Sequence, residues 1–81
     1  MRLTFVITAL NRPGVLPRVV LLFHRSAVDI ESIHMPIRRK KTSELTLTIT
    51  VDGKFPNAHR MAAILEKVVD VLSVETILRG R

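Results

Sequence analysis

The segment from Asn11 to Met35 constrains the fold of this chain more than any other part of the sequence. It runs N-R-P-G-V-L-P-R-V-V-L-L-F-H-R-S-A-V-D-I-E-S-I-H-M. The turn residues Asn11, Pro13 and Gly14 are followed by apolar residues at the i, i+4, i+7 and i+8 spacing of a helix, and then by an extended stretch. We therefore expect a strand end, a tight turn, an apolar helix and a second strand.

Strand patterns lie on both sides of this segment. Residues 1–10 and 43–52 alternate with a period of two, and threonines form one face of the second stretch. Residues 28–37 and 71–78 are predicted as two further strands. A second amphipathic helix, with Asn57 as its expected N-cap, is predicted from the spacing of Met61, Ile64, Leu65 and Val68.

This order predicts an α+β, ferredoxin-like β-α-β-β-α-β sandwich. It has a four-stranded antiparallel sheet with both helices on one face. The predicted domain spans residues 1–78, and residues 79–81 are expected to form a flexible tail. Proteins with this plan bind metals, RNA or small ligands and include enzymes, so the fold alone does not give the function.

The size and composition of the chain favour self-association. A domain of 81 residues buries only about 60% of the surface that its unfolded chain exposes. Because 47% of the residues are hydrophobic, we expect a second copy to cover part of that apolar surface in a homodimer. There are no cysteines, no signal-peptide pattern and no apolar run that could span a bilayer, so no membrane association and a cytoplasmic location are expected.

The net charge of +6 raises the question of nucleic-acid binding. Four of the basic residues form the run Arg38–Lys41 between two predicted strands, where a solvated hairpin loop is the favoured interpretation. RNA-binding domains of this fold stack bases on aromatic side chains of their central strands, and Phe5 is the only aromatic residue in a predicted strand. Nucleic-acid binding is therefore disfavoured.

The sequence predicts no catalytic or metal-ligating residues. The three histidines, His24, His34 and His59, lie on different elements without metal-ligand spacing. Asp29 and Glu31 would share one face of the second strand, where they form either an exposed pair or an acid/base dyad.

The turn from Asn11 to Gly14 is the best candidate binding site. Glycine allows close backbone approach, and the helix N-terminus that follows presents free N–H groups to an anion, an effect of about 0.3 to 2 kcal/mol. Asp29 would supply a carboxylate for an ammonium group, and Ile30 would supply an apolar contact. The alternative is that Asn11 and Gly14 only form the turn.

The pattern N-x-P-G-V-L-x-R-V-x-x-L-F, followed by D-I-E-S-I, resembles the ACT domain of the small, regulatory subunit of acetolactate synthase. The specific match covers Leu10 to Met35. The resemblance implies a non-catalytic subunit of the short, single-domain type, which forms a homodimer and activates the large catalytic subunit. Valine, leucine or isoleucine would then act as feedback effector in branched-chain amino-acid biosynthesis.

The resemblance also implies no cofactor in this chain, because thiamine diphosphate, magnesium and FAD are expected only on the catalytic partner. In the family the effector lies between two ACT domains. This arrangement implies effector-binding roles for Asn11, Pro13, Gly14, Val15, Asp29 and Ile30. A free-standing ACT amino-acid sensor, or a basic nucleic-acid-binding module, remains the alternative.

Two positions differ from the family pattern. Asp29 replaces the usual Asn at the start of the second strand, and Ala27 replaces a common helix-ending Gly. An Asp carboxylate cannot donate a hydrogen bond to a ligand carboxylate and would repel it. Effector binding is therefore expected to be weakened, altered or absent.

Overall fold

A computed structural model describes residues 1–36 and 43–79 of the chain. The elements, in chain order, are β1 (Arg2–Leu10), α1 (Val15–Arg25), β2 (Ile30–His34), β3 (Glu44–Asp52), a 3₁₀ turn (Ala58–Arg60), α2 (Met61–Glu66) and β4 (Val71–Arg79). The strands form one antiparallel sheet in the order β2-β3-β1-β4. The predicted ferredoxin-like fold is confirmed. The basic run Arg38–Lys41 lies outside the described residues.

The hydrophobic core lies between the sheet and the two helices. In the β1–β3 register Phe5 is opposite Ile49 and Ile7 is opposite Leu47, and all four side chains are buried. The Phe5 ring meets the Phe23 ring of α1 edge to face, with centroids 5.6 Å apart. The alternate residues of β1 and β3 therefore point away from the helices, as the period-two pattern predicts.

Helix α1 ends in a C-terminal cap that requires one residue in the left-handed backbone conformation. The Ala27 N–H donates to the His24 carbonyl, the Val28 N–H donates to the Phe23 carbonyl, and Ala27 has a φ of 57°. These are the hydrogen bonds of a Schellman motif, whose left-handed position is usually glycine. Alanine there is strained because its Cβ approaches the following carbonyl oxygen.

Replacing Ala27 with glycine should stabilise the domain by about 1 kcal/mol, because the backbone strain disappears while the hydrogen bonds of the helix cap remain. For a domain of this size, that gain raises Tm by about 4 to 8 °C. Ala63→Gly, at an exposed position inside α2, is the matched control and should cost about 0.5 to 1 kcal/mol. Urea unfolding measures the free energy of unfolding of both variants. An Ala27→Gly protein less stable than the wild type would contradict backbone strain at Ala27.

Strand β2 is shorter than predicted. It was expected over residues 28–37, but the structure has Ile30–His34, and Ile37 lies outside the described residues. The Val28 N–H closes α1, so this residue cannot join the sheet. Asp29 precedes the strand, and the register shifts at Glu31, between Ile30 and Ser32. The expectation that Asp29 and Glu31 share one face of a regular strand is therefore wrong.

The second helix also differs in detail from its prediction. The Asn57 side chain does not cap it, because the chain first forms the 3₁₀ turn and the Asn57 Nδ2 donates to the Ser26 carbonyl at 2.8 Å. Val68 lies beyond the end of α2, in the turn before β4. Strand β4 extends to Arg79, one residue past the predicted end of the domain. Among the described residues, no helix is long and apolar enough to cross a membrane.

Candidate functional site

The turn between β1 and α1 is built around Gly14, which has a φ of 89°. An L-residue is disfavoured in this conformation, so glycine is required here for the backbone alone. The turn is anchored by the Leu10 N–H, which donates to the Asp70 carbonyl at 2.7 Å, and by the Asn11 N–H, which donates to the Ser43 carbonyl at 2.9 Å. Two neighbouring loops therefore hold the turn in place.

The N-terminus of α1 offers fewer N–H groups than an ordinary helix. The Val15 N–H donates to the Arg12 carbonyl at 3.3 Å, and Pro17 has no N–H. Within the described part of the chain, the N–H groups of Gly14 and Leu16 have no acceptor. An anion at this helix end would thus meet two backbone donors and the positive end of the helix dipole.

Two arginines add positive charge beside the turn. A Cβ placed on Gly14 would lie 4.0 Å from Nη2 of Arg18, so that guanidinium lies next to the turn. Arg12 forms an ion pair with Asp70 at 3.4 Å, and its side chain is 64% exposed while that of Asp70 is 13% exposed. Arg18 is therefore the better-placed cation for a ligand, since the charge of Arg12 already has a partner.

The other predicted residues lie in a cavity at the opposite end of α1. It has a volume of about 210 Å³ and is lined by Val20, Phe23, His24, Val28, Asp29 and Ile30. Phe23 and Val28 are buried and form an apolar floor, while His24 and Asp29 are exposed at the rim. Such a cavity can hold a small aliphatic side chain and place a carboxylate next to a cationic group.

One copy of the chain does not bring the two groups of predicted residues together. Asn11, Pro13, Gly14 and Val15 lie at the start of α1, and Asp29 and Ile30 lie beyond its end. A helix of 11 residues is about 16 Å long. The Val15 side chain is only 1% exposed and packs in the core, so it does not reach a ligand at the turn.

The edge of the sheet next to α1 carries exposed apolar side chains. Val20 of α1 is 36% exposed and Ile33 of β2 is 44% exposed. Ile33 is opposite the buried Ile49, so it lies on the helix side of the sheet. In the part of the chain that the structure describes, strand β2 pairs only with β3 and forms one edge of the sheet. This flank therefore combines an apolar strip with an edge whose backbone groups can pair with another strand.

The remaining candidates do not form a site in this part of the chain. Among the described residues, no three His, Asp or Glu side chains come close enough to hold a metal. His59 Nε2 lies 3.2 Å from the Gly53 carbonyl and serves the local structure. Phe5 and Phe23 are buried in the core, so neither can stack on a base.

The comparison with protein families shows to which family the chain belongs. A family model described as the AHAS small subunit-like ACT domain matches residues 5–73. The chain belongs to this ACT-domain family. The match spans both helices and the turn at Gly14, so the family resemblance of the segment from Leu10 to Met35 extends over most of the chain.

Solved structures with the ACT fold are also similar to this ACT domain. The acetolactate synthase small subunit from Thermotoga maritima is 25% identical with a TM-score of 0.81, over 99% of this chain and 49% of that chain. The ACT domain of GTP pyrophosphokinase from Chlorobium tepidum is 14% identical with a TM-score of 0.75, over 95% and 97% of the respective chains. The aspartate kinase regulatory subunit from Thermus thermophilus is 12% identical with a TM-score of 0.70, over 95% and 50%.

The ACT domain spans about half of the Thermotoga subunit that it matches. A search of curated protein sequences gives no significant match. The likeness to the two less similar structures shows the shared fold alone.

Sequence reasoning missed three residues of this candidate site. Arg18 follows Gly14 by four residues, and that spacing on a helix would have placed it over the turn. Val20 was visible only as part of a broad apolar helix. The free N–H of Leu16 had no sequence signal of its own, because it depends on which neighbouring donors the turn uses.

Proposed function

We propose that this ACT domain is the regulatory subunit of an acetolactate synthase. It activates the thiamine-diphosphate-dependent catalytic subunit, and a branched-chain amino acid controls it by binding at the turn around Gly14. The observation that carries the proposal is the family match over residues 5–73, combined with a helix N-terminus where a guanidinium lies beside two N–H groups that have no acceptor among the described residues.

A second copy of the chain would complete the binding site. A two-fold axis that pairs the β2 edges of two copies makes the two strands antiparallel. The start of α1 in one copy then lies next to the end of α1 in the other copy. This arrangement brings Gly14 of one subunit towards Asp29 of its neighbour and covers the exposed Val20 and Ile33. Homodimers with two equivalent sites follow from this symmetry, and we propose that they act in the cytoplasm.

Each part of the composite site suits one part of an amino acid. The ligand carboxylate accepts hydrogen bonds from the N–H groups of Gly14 and Leu16 and faces Arg18. Asp29 of the neighbouring copy receives the ammonium group, a role in which its negative charge is favourable. The aliphatic side chain enters the cavity of about 210 Å³ formed by residues such as Val20 and Ile30. Asp29 in place of Asn thus selects for a ligand with a free ammonium group.

The effector can change the activity of the partner only if it binds the two docked states with different affinity. Such coupling is typically about 1 to 3 kcal/mol, which corresponds to a change of about 5- to 150-fold in affinity. By reciprocity, the catalytic subunit must then change the affinity of this ACT domain for the effector by the same factor.

The decisive experiment measures acetolactate formation by the catalytic subunit as the purified ACT domain is added. We expect the rate to rise to a plateau and a branched-chain L-amino acid to lower the plateau, with the D-enantiomer as the ligand control. No rise in rate at saturating ACT domain would contradict the role as a regulatory subunit.

A free-standing amino-acid sensor is the second candidate. It is favoured by the candidate site, whose groups for a carboxylate, an ammonium group and an aliphatic side chain all come from the ACT domain itself. A rise in Tm with an amino acid, without any effect on the catalytic subunit, would identify a sensor of this kind.

A further inference from the structure

The face of the sheet opposite the helices contains a groove of about 470 Å³. Its floor is formed by side chains of three strands that point away from the core: Thr4 of β1, Thr48 and Thr50 of β3, and Ser32 of β2. Thr4 is only 8% exposed, and its Oγ1 lies 3.1 Å from the Oγ1 of Thr50. The floor is therefore recessed and rich in hydroxyl groups that can donate or accept hydrogen bonds.

Threonines on an open sheet face do not by themselves indicate a ligand, since threonine is common in strands. The charged side chains that line the groove are the second feature that indicates a ligand. Arg2 and Arg79 are direct partners in the β1–β4 register, and both line the groove. Like charges directly opposite each other on neighbouring strands are unfavourable. An anion bound between them would remove that repulsion.

The groove is lined by one carboxylate among the described residues, that of Glu31, and it forms an ion pair with Arg2 and not with Arg79. Oε1 of Glu31 lies 3.3 Å from Nε of Arg2, and the Arg2 and Glu31 side chains are 60% and 40% exposed. Arg79 has no ion pair within the described residues. The walls therefore carry a net positive charge, and because Glu31 is partly exposed, its side chain can turn away when an anion approaches Arg2.

We propose that this groove binds a small phosphorylated molecule through its phosphomonoester group. The dianionic group matches the charges of Arg2 and Arg79, whose guanidinium forks fit phosphate oxygens. The Thr50 hydroxyl donates to the phosphate from below while the recessed Thr4 hydroxyl donates to Thr50, and Glu31, released from Arg2, accepts a hydrogen bond from a hydroxyl of the ligand. The groove lies on the sheet face opposite α1, so this proposal does not depend on the amino-acid site.

Binding of ribose 5-phosphate, with ribose as the ligand control, tests the proposal by calorimetry and by NMR titration of the intact chain. We expect the phosphate ester to bind and ribose not to bind. Arg79→Ala should weaken binding at least about tenfold, the loss typical of one charge-assisted contact. Glu31→Gln should strengthen binding, because the competing carboxylate is removed.

Two control variants separate a built site from general attraction to a basic protein. Arg60→Ala removes the same charge from an exposed position in the 3₁₀ turn, and Thr8→Val changes a hydroxyl of the same sheet face that does not line the groove. Both should bind as the wild type does, while Thr50→Val should bind more weakly. The proposal is overturned if ribose 5-phosphate does not bind at millimolar concentration, if Arg60→Ala weakens it as much as Arg79→Ala, or if acetate binds equally well.

Discussion

Replacing Gly14 with aspartate should abolish the response of the protein to its amino-acid effector. The new carboxylate would occupy the positive end of α1, next to the N–H of Leu16, and would repel the carboxylate of the ligand. We expect the affinity to fall by at least about tenfold, so that the ligand no longer raises Tm and no longer lowers the rate of the catalytic subunit. Calorimetry with valine, leucine and isoleucine measures the loss.

Gly14→Asn is the matched control for this substitution. Asparagine has nearly the same size as aspartate and tolerates the left-handed backbone about as well, but it carries no charge. An ideal Cβ at this position would have its nearest neighbour at 4.0 Å, so there is room for both side chains, and both variants carry the same backbone strain from the left-handed φ. The expected order of affinity is wild type, then Asn, then Asp. Equal affinity of Asp and wild type would place the effector elsewhere.

Replacing Phe23 with alanine should remove about half of the stability of the domain. Phe23 is fully buried and its ring packs against Phe5. Phe→Ala in a core costs about 3 to 5 kcal/mol, while a chain of 81 residues has a total of about 4 to 12 kcal/mol. We expect Tm to fall by more than about 12 °C, measured by circular dichroism or calorimetry.

Leu21→Ala controls for the loss of an apolar side chain from the same helix. Leu21 is 42% exposed, and it lies about 100° around the helix from Val20, away from the β2 edge. Its removal should change the free energy of unfolding by no more than about 0.5 kcal/mol. A similar loss for both variants would contradict the burial of Phe23 between α1 and the sheet.

Much of the fold could be predicted from the sequence because its patterns are local. The alternation in β1 and β3 places Phe5 and Ile49 in the core, and the spacing in α1 places Phe23 opposite them. The start of β2 could not be predicted, because it depends on the Val28 N–H donating to the Phe23 carbonyl at the end of α1. The role of Asn57 depends in the same way on a contact with Ser26, a residue distant in sequence.

The candidate site could be predicted from the sequence less completely than the fold, because it depends more on contacts between residues distant in sequence. The turn at Gly14 is a local feature, and its positive φ follows from the sequence. Its separation from Asp29 also follows from the helix predicted between them, whereas the pattern of N–H donors at the helix start becomes visible only in the folded chain. The groove at Arg2 and Arg79 depends on the pairing of the first strand with the last, which no local pattern specifies.

A mixture of two inactive variants tests most directly whether two copies share the effector site. Gly14→Asp damages the turn, and Asp29→Lys reverses the charge that receives the ammonium group, so neither homodimer should bind the effector. In a mixed dimer one site carries both changes and the other site carries neither. Random mixing makes about half of the dimers mixed, which restores about a quarter of the wild-type sites.

Calorimetric titration of the refolded equimolar mixture, with the branched-chain amino acid that binds the wild type, counts these sites. We expect about a quarter of the wild-type stoichiometry, at wild-type affinity. A mixture that binds no more effector than the two variants do separately would contradict a site built from Gly14 of one subunit and Asp29 of the other.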